Sequence, residues 1–142
     1  MAAATTIVVV HWNRPDRCEK AVRAVLDQDT PTEVVIVDNG STAQDLAHLR
    51  RVVPPDVHVI ENGANLGFGP AANVGFAWWL AHRDGEWVGL MPHDALPAGT
   101  CLSTMLATVA SLPRAGLACA DFGDGATPLI DATSIISGTS GR

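Results

Sequence analysis

At 142 residues, 47% of them apolar and 17% charged, the chain fits one globular domain and is too apolar for disorder. The net charge of -6 supplies no basic face, which argues against nucleic acid or an anionic membrane as the main partner. Cys18, Cys101 and Cys119 lack metal-ligand spacing, the start MAAATTIVVV lacks the basic flank of a leader, and no run approaches the ~20 apolar residues of a membrane span, so reduced thiols and a cytoplasmic location are expected.

Ile7 to Val10 reads as a buried strand, and His11, Trp12, Asn13, Arg14 and Pro15 form a turn into a helix. Asn13 suits the N-cap and Pro15 the first turn; Cys18, Ala21, Val22, Val25 and Leu26 make the apolar stripe, and the helix should end near Asp29. Val34 to Val37 is a second buried strand, stopped by Asp38, Asn39, Gly40 and Ser41. The two strands and their helix make a β-α-β unit, expected to be parallel with a right-handed crossover. Ligands of open α/β sheets sit beyond the carboxyl ends of the strands, so Asp38 is either poised to meet one or caps the next helix.

Ser41 and Gln44 have capping-box spacing, followed by Leu46, Ala47, Leu49 and Val53, and Pro54 and Pro55 end this second helix. Val57 to Ile60 alternates as a more exposed third strand. The glycine-rich stretch ENGANLGFGP then leads into a helix from about Pro70, with Val74, Ala77, Trp78 and Ala81 on one face and Gly85 as C-cap. The neighbours Trp78 and Trp79 must point differently, one to the core and one to the surface. Glu86 to Met91 is a fourth strand running into PHDALP, which puts Asp94 just past a strand end. Leu102, Met105, Leu106 and Val109 mark a further helix closed by Pro113, and Leu117 to Phe122 reads as a fifth strand. Residues 123–142 are Ser/Gly-rich and read as a less ordered tail of the single domain.

HWNR, DNGS and PHD thus recur at the ends of predicted strands and should share one edge of the sheet. A glycine-rich loop ahead of a helix adds backbone amides there, where an anion is favoured. An aromatic residue (Trp12), carboxylates (Asp38, Asp94) and backbone donors together suit a nucleotide and a divalent cation. Gly67, Gly69 and Ala72 also spell the GxGxxA of dinucleotide sites, but Asn62 to Leu66 separate them from the strand, so a nicotinamide or flavin site is disfavoured.

IVVVHWNRPDRCEKAVRAVLDQDTPTEVVIVDNGST resembles the opening of the family 2 glycosyltransferases of GT-A fold. ENGANLGFGPAANVGF is similar to that family's Asn-x-Gly-x loop and helix, and EWVGLMPHDALP to its strand bearing metal-binding aspartates. The resemblance implies an α/β fold of three layers, a mostly parallel sheet with helices on both faces. It implies a nucleoside-diphosphate sugar as donor, with Asp38 on the base and His11, Trp12, Asn13 and Arg14 enclosing it. Asn39, Gly67, Asn73 and His93 complete the implied sugar-nucleotide site, and Asp94 binds Mg²⁺ or Mn²⁺. The implied reaction is glycosyl transfer to an acceptor hydroxyl.

Departures from the family pattern are specific. Pro92 and His93 precede Asp94, so one carboxylate carries the metal site, and His93 is a second ligand, a sugar contact or a solvated loop histidine. Ala72 replaces an arginine common in the family. The general base is not identified, because Asp121, Asp124 and Asp131 do not form the family's Glu-Asp pattern. A truncated or minimal enzyme is therefore expected, completed by a second chain or acting as a homo-oligomer. The alternative is a catalytically silent binding or assembly module derived from such an enzyme.

Overall fold

The computed structural model describes residues 4–120. Strands β1 (Thr5–His11), β2 (Thr32–Asp38), β3 (His58–Glu61) and β4 (Val88–Pro92) alternate with helices α1 (Pro15–Leu26), α2 (Ala43–Val52), α3 (Phe68–His82) and α4 (Cys101–Ala110). The sheet runs β3-β2-β1-β4, and every pairing in it is parallel. Chain order proceeds outward from β1 through β2 to β3, then jumps back to place β4 on the other side of β1. The strand order therefore reverses between β1 and β4, the place where open α/β sheets form a ligand crevice.

Period-two alternation divides the core into two layers. Ile7, Val9, Val34 and Ile36 pack on Cys18, Val22 and Val25 of α1 and Leu49 of α2. Val8, Val10 and Val37 point the other way, onto Ala71 and Ala72 of α3. Three layers result, as the sequence implies. The continuous apolar runs of β1 and β2 follow from this, since a strand covered on both faces has no solvated side.

Several local expectations change. Arg14, not Asn13, is the N-cap of α1, with Pro15 in the first turn, and Asn13 takes φ 50°, a left-handed conformation that asparagine tolerates. Helix α1 ends at Leu26, before Asp29. Thr42, not Ser41, caps α2: its hydroxyl accepts the Asp45 N–H at 3.1 Å and donates to the Asp45 carboxylate at 2.7 Å. Helix α3 starts at Phe68 and ends at His82, with Arg83 and not Gly85 as its C-cap.

The face that α3 buries is Ala71, Ala72 and Gly75, whereas Ala77 and Ala81 are exposed and Val74 and Trp78 only half-buried. Small residues win here because the helix lies close on the sheet: a Cβ at position 75 would stand 2.3 Å from Cγ1 of Val8. Trp78 instead stacks on His58 and His82, with ring centroids 4.9 and 4.8 Å away. The predicted fifth strand is not formed over residues 117–120. Its last two residues, the predicted tail and Asp121, Asp124 and Asp131 lie outside the described residues.

Candidate functional site at the carboxyl edge of the sheet

Parallel register brings the ends of β1 and β2 level, with His11 opposite Asp38. Both are buried, His11 fully and Asp38 to 2% exposure. His11 Nδ1 lies 2.9 Å from Asp38 Oδ1, and His11 Nε2 accepts the Arg14 N–H at 3.2 Å. A nitrogen that accepts a backbone N–H carries no proton, so the imidazole is the Nδ1–H tautomer and donates to the carboxylate. Ser41 adds two more donors to Asp38, its hydroxyl to Oδ1 at 2.5 Å and its N–H to Oδ2 at 3.1 Å.

Burial raises the pKa of Asp38, but the bonds from His11 and from the Ser41 hydroxyl and N–H outweigh it and hold the carboxyl below its ordinary value. Cys18 feels the same surroundings with the opposite result. Burial first and the Asp38 charge second push its thiol up to about 12, so it is an inert core thiol.

The turn after β1 is tied to the turn after β2 by reciprocal bonds. Asn13 N–H donates to Ser41 Oγ at 2.9 Å, and Asn13 Oδ1 accepts the Thr42 N–H at 2.9 Å. Asn39, also buried, organises the glycine-rich loop. Its Oδ1 accepts Asn62 Nδ2 at 3.1 Å and Leu66 N–H at 3.0 Å, while its Nδ2 donates to Asn65 Oδ1 at 3.0 Å and the Gly67 carbonyl at 3.3 Å. Gly40 completes this closure. It has φ 78°, and a Cβ there would meet the Ala64 carbonyl carbon at 2.4 Å.

Beyond β4, His93 Nδ1–H donates to the Val10 carbonyl at 3.2 Å, and its ring packs edge-on to His11 at 5.7 Å. This leaves Nε2 with a free lone pair. Burial holds the His93 pKa below its ordinary value against the opposing Val10 carbonyl bond. Asp94 beside it is exposed. Residues Gly67 and Asn73 are exposed at the start of α3, whose N-cap Gly67 supplies no side-chain cap, so the Phe68 and Gly69 N–H groups of the first turn are uncapped, while Pro70 has none to offer. Trp12 is 47% exposed and Arg14 exposed at the mouth of the β1 turn.

The sequence-predicted residues therefore divide into two sets. His11, Asp38, Asn39 and, in part, Asn13 form an internal hydrogen-bonded frame, in which His11 touches Asp38 and does not line open space. Trp12, Arg14, Gly67, Asn73 and Asp94 are exposed, and His93 is half-buried against His11. Ser41, which the sequence suggests only as a helix cap, belongs to the frame as well, as do Asn62 and Asn65, for which the asparagine density of ENGANLG was the available signal.

No group of three His, Cys, Asp or Glu side chains is arranged for a metal ion among the described residues. The donor set fits Mg²⁺ or Mn²⁺ only in the manner of sites where one or two carboxylates hold the ion and phosphate oxygens and water fill the remaining positions.

A sequence profile described as glycosyl transferase family 2 matches residues 6–128. The mannosyltransferase PcManGT from Pyrobaculum calidifontis, solved in complex with GDP-Man and Mn²⁺, is 26% identical with a TM-score of 0.67, over 83% of this chain and 35% of that one. TarS of S. aureus is 22% identical with a TM-score of 0.57, over 77% of this chain and 20% of that one. A shorter form of TarS, residues 1–349 in complex with UDP, is 22% identical with a TM-score of 0.58, over 77% of this chain and 32% of that one. The chain thus spans about a third or less of these structures. No curated protein matches it.

Proposed function

Because the chain belongs to glycosyl transferase family 2, we propose that its carboxyl sheet edge binds a nucleoside-diphosphate sugar, as the donor for glycosyl transfer to an acceptor hydroxyl. The observation that carries this reading is the meeting of three strand ends at the reversal of strand order, around a carboxylate held ionised by three donors. Asp38 accepts a donor of the base, and the exposed Trp12 ring packs on its face. The uncapped N-terminus of α3 faces the diphosphate with backbone N–H groups.

Asp94 is the proposed ligand of Mg²⁺ or Mn²⁺, with His93 Nε2 as a second donor, and the GDP-Man and Mn²⁺ held by PcManGT support a nucleotide-sugar with a cation. Such a cation supplies positive charge to the leaving diphosphate. In the transfer itself the acceptor oxygen bonds to the anomeric carbon and its proton passes to solvent, while the bond from that carbon to the phosphate oxygen breaks, the electron pair leaving with the nucleoside diphosphate. Asp38 holds the nucleotide end in place and Asn39 fixes the loop beside it, so that binding energy remote from the reacting carbon orients it.

A single acid at the metal position favours a second reading, a catalytically silent binding or assembly module. Calorimetry of a panel of nucleotide-sugars with and without Mn²⁺ tests the first reading: at least one should bind, more tightly with Mn²⁺, and Asp94→Ala should abolish that Mn²⁺ effect. Binding of none, or binding indifferent to Asp94→Ala, contradicts it. Release of free sugar or transfer by the purified chain would reject silence.

A further inference from the structure

We infer that Arg17 is a phosphate-binding residue of this site and holds the outer phosphate of the bound nucleoside diphosphate, an inference that rests on the nucleotide-sugar reading above. The turns that follow β1, β2, β3 and β4, residues 12–14, 39–42, 62–67 and 93–100, contain one lysine or arginine between them, Arg14. The first turns of α1, α2 and α3 add only Arg17. Asp16, Asp38, Asp45 and Asp94 stand at the same edge, so a diphosphate arrives where negative charge already prevails. Position 72, where the family commonly has an arginine, is a buried alanine in the core between α3 and the sheet.

Helix α1 carries Arg17 on its β4 side. Arg17, Ala21, Ala24 and Gln28 recur at i, i+4, i+7 and i+11 and so share one flank, with Gln28 just past the end of the helix. At the foot of that flank, Gln28 Nε2 donates to the Ala24 carbonyl at 3.0 Å and to the Ala98 carbonyl at 2.8 Å, and its Oε1 accepts the Leu102 N–H at 2.9 Å. The flank therefore faces the segment that leads from β4 to α4, and Arg17 stands at its head, toward the end where that segment starts with His93 and Asp94. Electrostatics agrees: burial foremost, with the charges of His11 and Arg17 behind it, lowers the His93 pKa. Arg14 belongs instead to the turn that Asn13 ties to Ser41 and Thr42 at the end of β2.

Arg17 is exposed and, among the described residues, takes part in no ion pair, whereas Arg23, Arg50 and Arg83 are each held by a glutamate. A guanidinium presents its donors in a planar fork that matches two phosphate oxygens. A nucleotide with its base at the end of β2 extends its phosphates toward β4, so the outer phosphate comes nearest to Arg17 and Asp94. Arg17 then binds the group that keeps the electron pair when the sugar leaves, and its charge stabilises that group.

The test is calorimetry of the full chain with UDP, UMP, GDP and GMP at saturating Mn²⁺, read on whichever base binds more tightly. Arg17→Gln should weaken the diphosphate about five- to tenfold and the monophosphate by less than about twofold, so that the ratio of the two affinities falls. Arg17→Lys keeps the charge and loses the fork, and should recover part of the loss. Lys20→Gln removes an equal charge from an exposed position one turn further along α1 and should leave the ratio unchanged. A merely structural role for Arg17 would weaken both nucleotides alike. A ratio unmoved by Arg17→Gln, or moved as far by Lys20→Gln, overturns the inference alone. Binding of neither diphosphate overturns it together with the functional reading beneath it.

Discussion

The ends of β1 and β2 and the end of β4 lie at the same edge of one sheet and are built in opposite ways. At β1 and β2 the polar groups are buried and paired: Asp38 takes three hydrogen bonds, and Asn39 makes four with the loop before α3. At β4 the backing is thin. Leu90 is 40% exposed, Asp94 is exposed, and beyond the strand ladder a side-chain bond from His93 to the Val10 carbonyl ties the segment to β1. Buried polar networks are costly unless fully satisfied, and when satisfied they fix a unique geometry. The contrast separates a part whose polar groups are paired with one another from a part that leaves Asp94 exposed; in the proposed function the first receives the base and the second the phosphates and a cation.

The contrast can be broken most severely at Gly40. Gly40→Ala forces a left-handed φ on a side-chain-bearing residue and drives its Cβ into the backbone of Ala64 and Asn65. A loss of about 4 kcal/mol is expected in urea or guanidinium unfolding. A loss below ~1 kcal/mol would mean that the two turns do not need to meet closely. Asn39→Ala should cost somewhat less, about 3 kcal/mol, by leaving the Leu66 N–H and the Asn62 and Asn65 amides short of partners.

Acid should probe the same frame more gently. The folded-state pKa of Asp38 lies below the ordinary carboxylate value of ~3.9, so its stabilising contribution is complete above about pH 5 and is lost as the pH falls through the lowered folded value. The stability gap between the unsubstituted chain and Asp38→Asn should therefore be constant near neutrality and close only in that acid range. A gap that closes at pH 6 to 7 would contradict the assignment of the ionised form. At the other end of the scale, Asp94→Ala should change stability by no more than about 0.5 kcal/mol, because an exposed carboxylate outside any network contributes little.

Strand runs and strand-end polar residues were legible in the sequence because β1 and β2 are covered on both faces and their ends coincide with changes in residue type. IVVV and VVIV have no other good use than as buried strands. The partners of the strand-end residues were not legible. Asn13 reads locally as a helix cap, yet it pairs with Ser41 and Thr42 across 28 and 29 positions of sequence. Ser41 reads as half of a capping box, yet Asp38 claims its hydroxyl and Thr42 takes over the cap.

The buried face of α3 was missed for a different reason. Apolar periodicity favours large side chains, whereas close approach to Val8 selects Ala71, Ala72 and Gly75. Local pattern reports what a residue could do alone, and distance in three dimensions decides which use prevails.

Amide hydrogen exchange, followed without ligand and then with a bound nucleotide-sugar and Mn²⁺, tests the two-part edge most directly. The Asn13, Ser41 and Leu66 amides, each bonded to a side chain of the frame, should exchange slowly in the free chain and change little on binding. That of Asp94 should exchange fast and become protected only with the ligand and cation present. Slow exchange at Asp94 in the free chain, or protection on binding confined to Asn13, Ser41 and Leu66, would contradict the account.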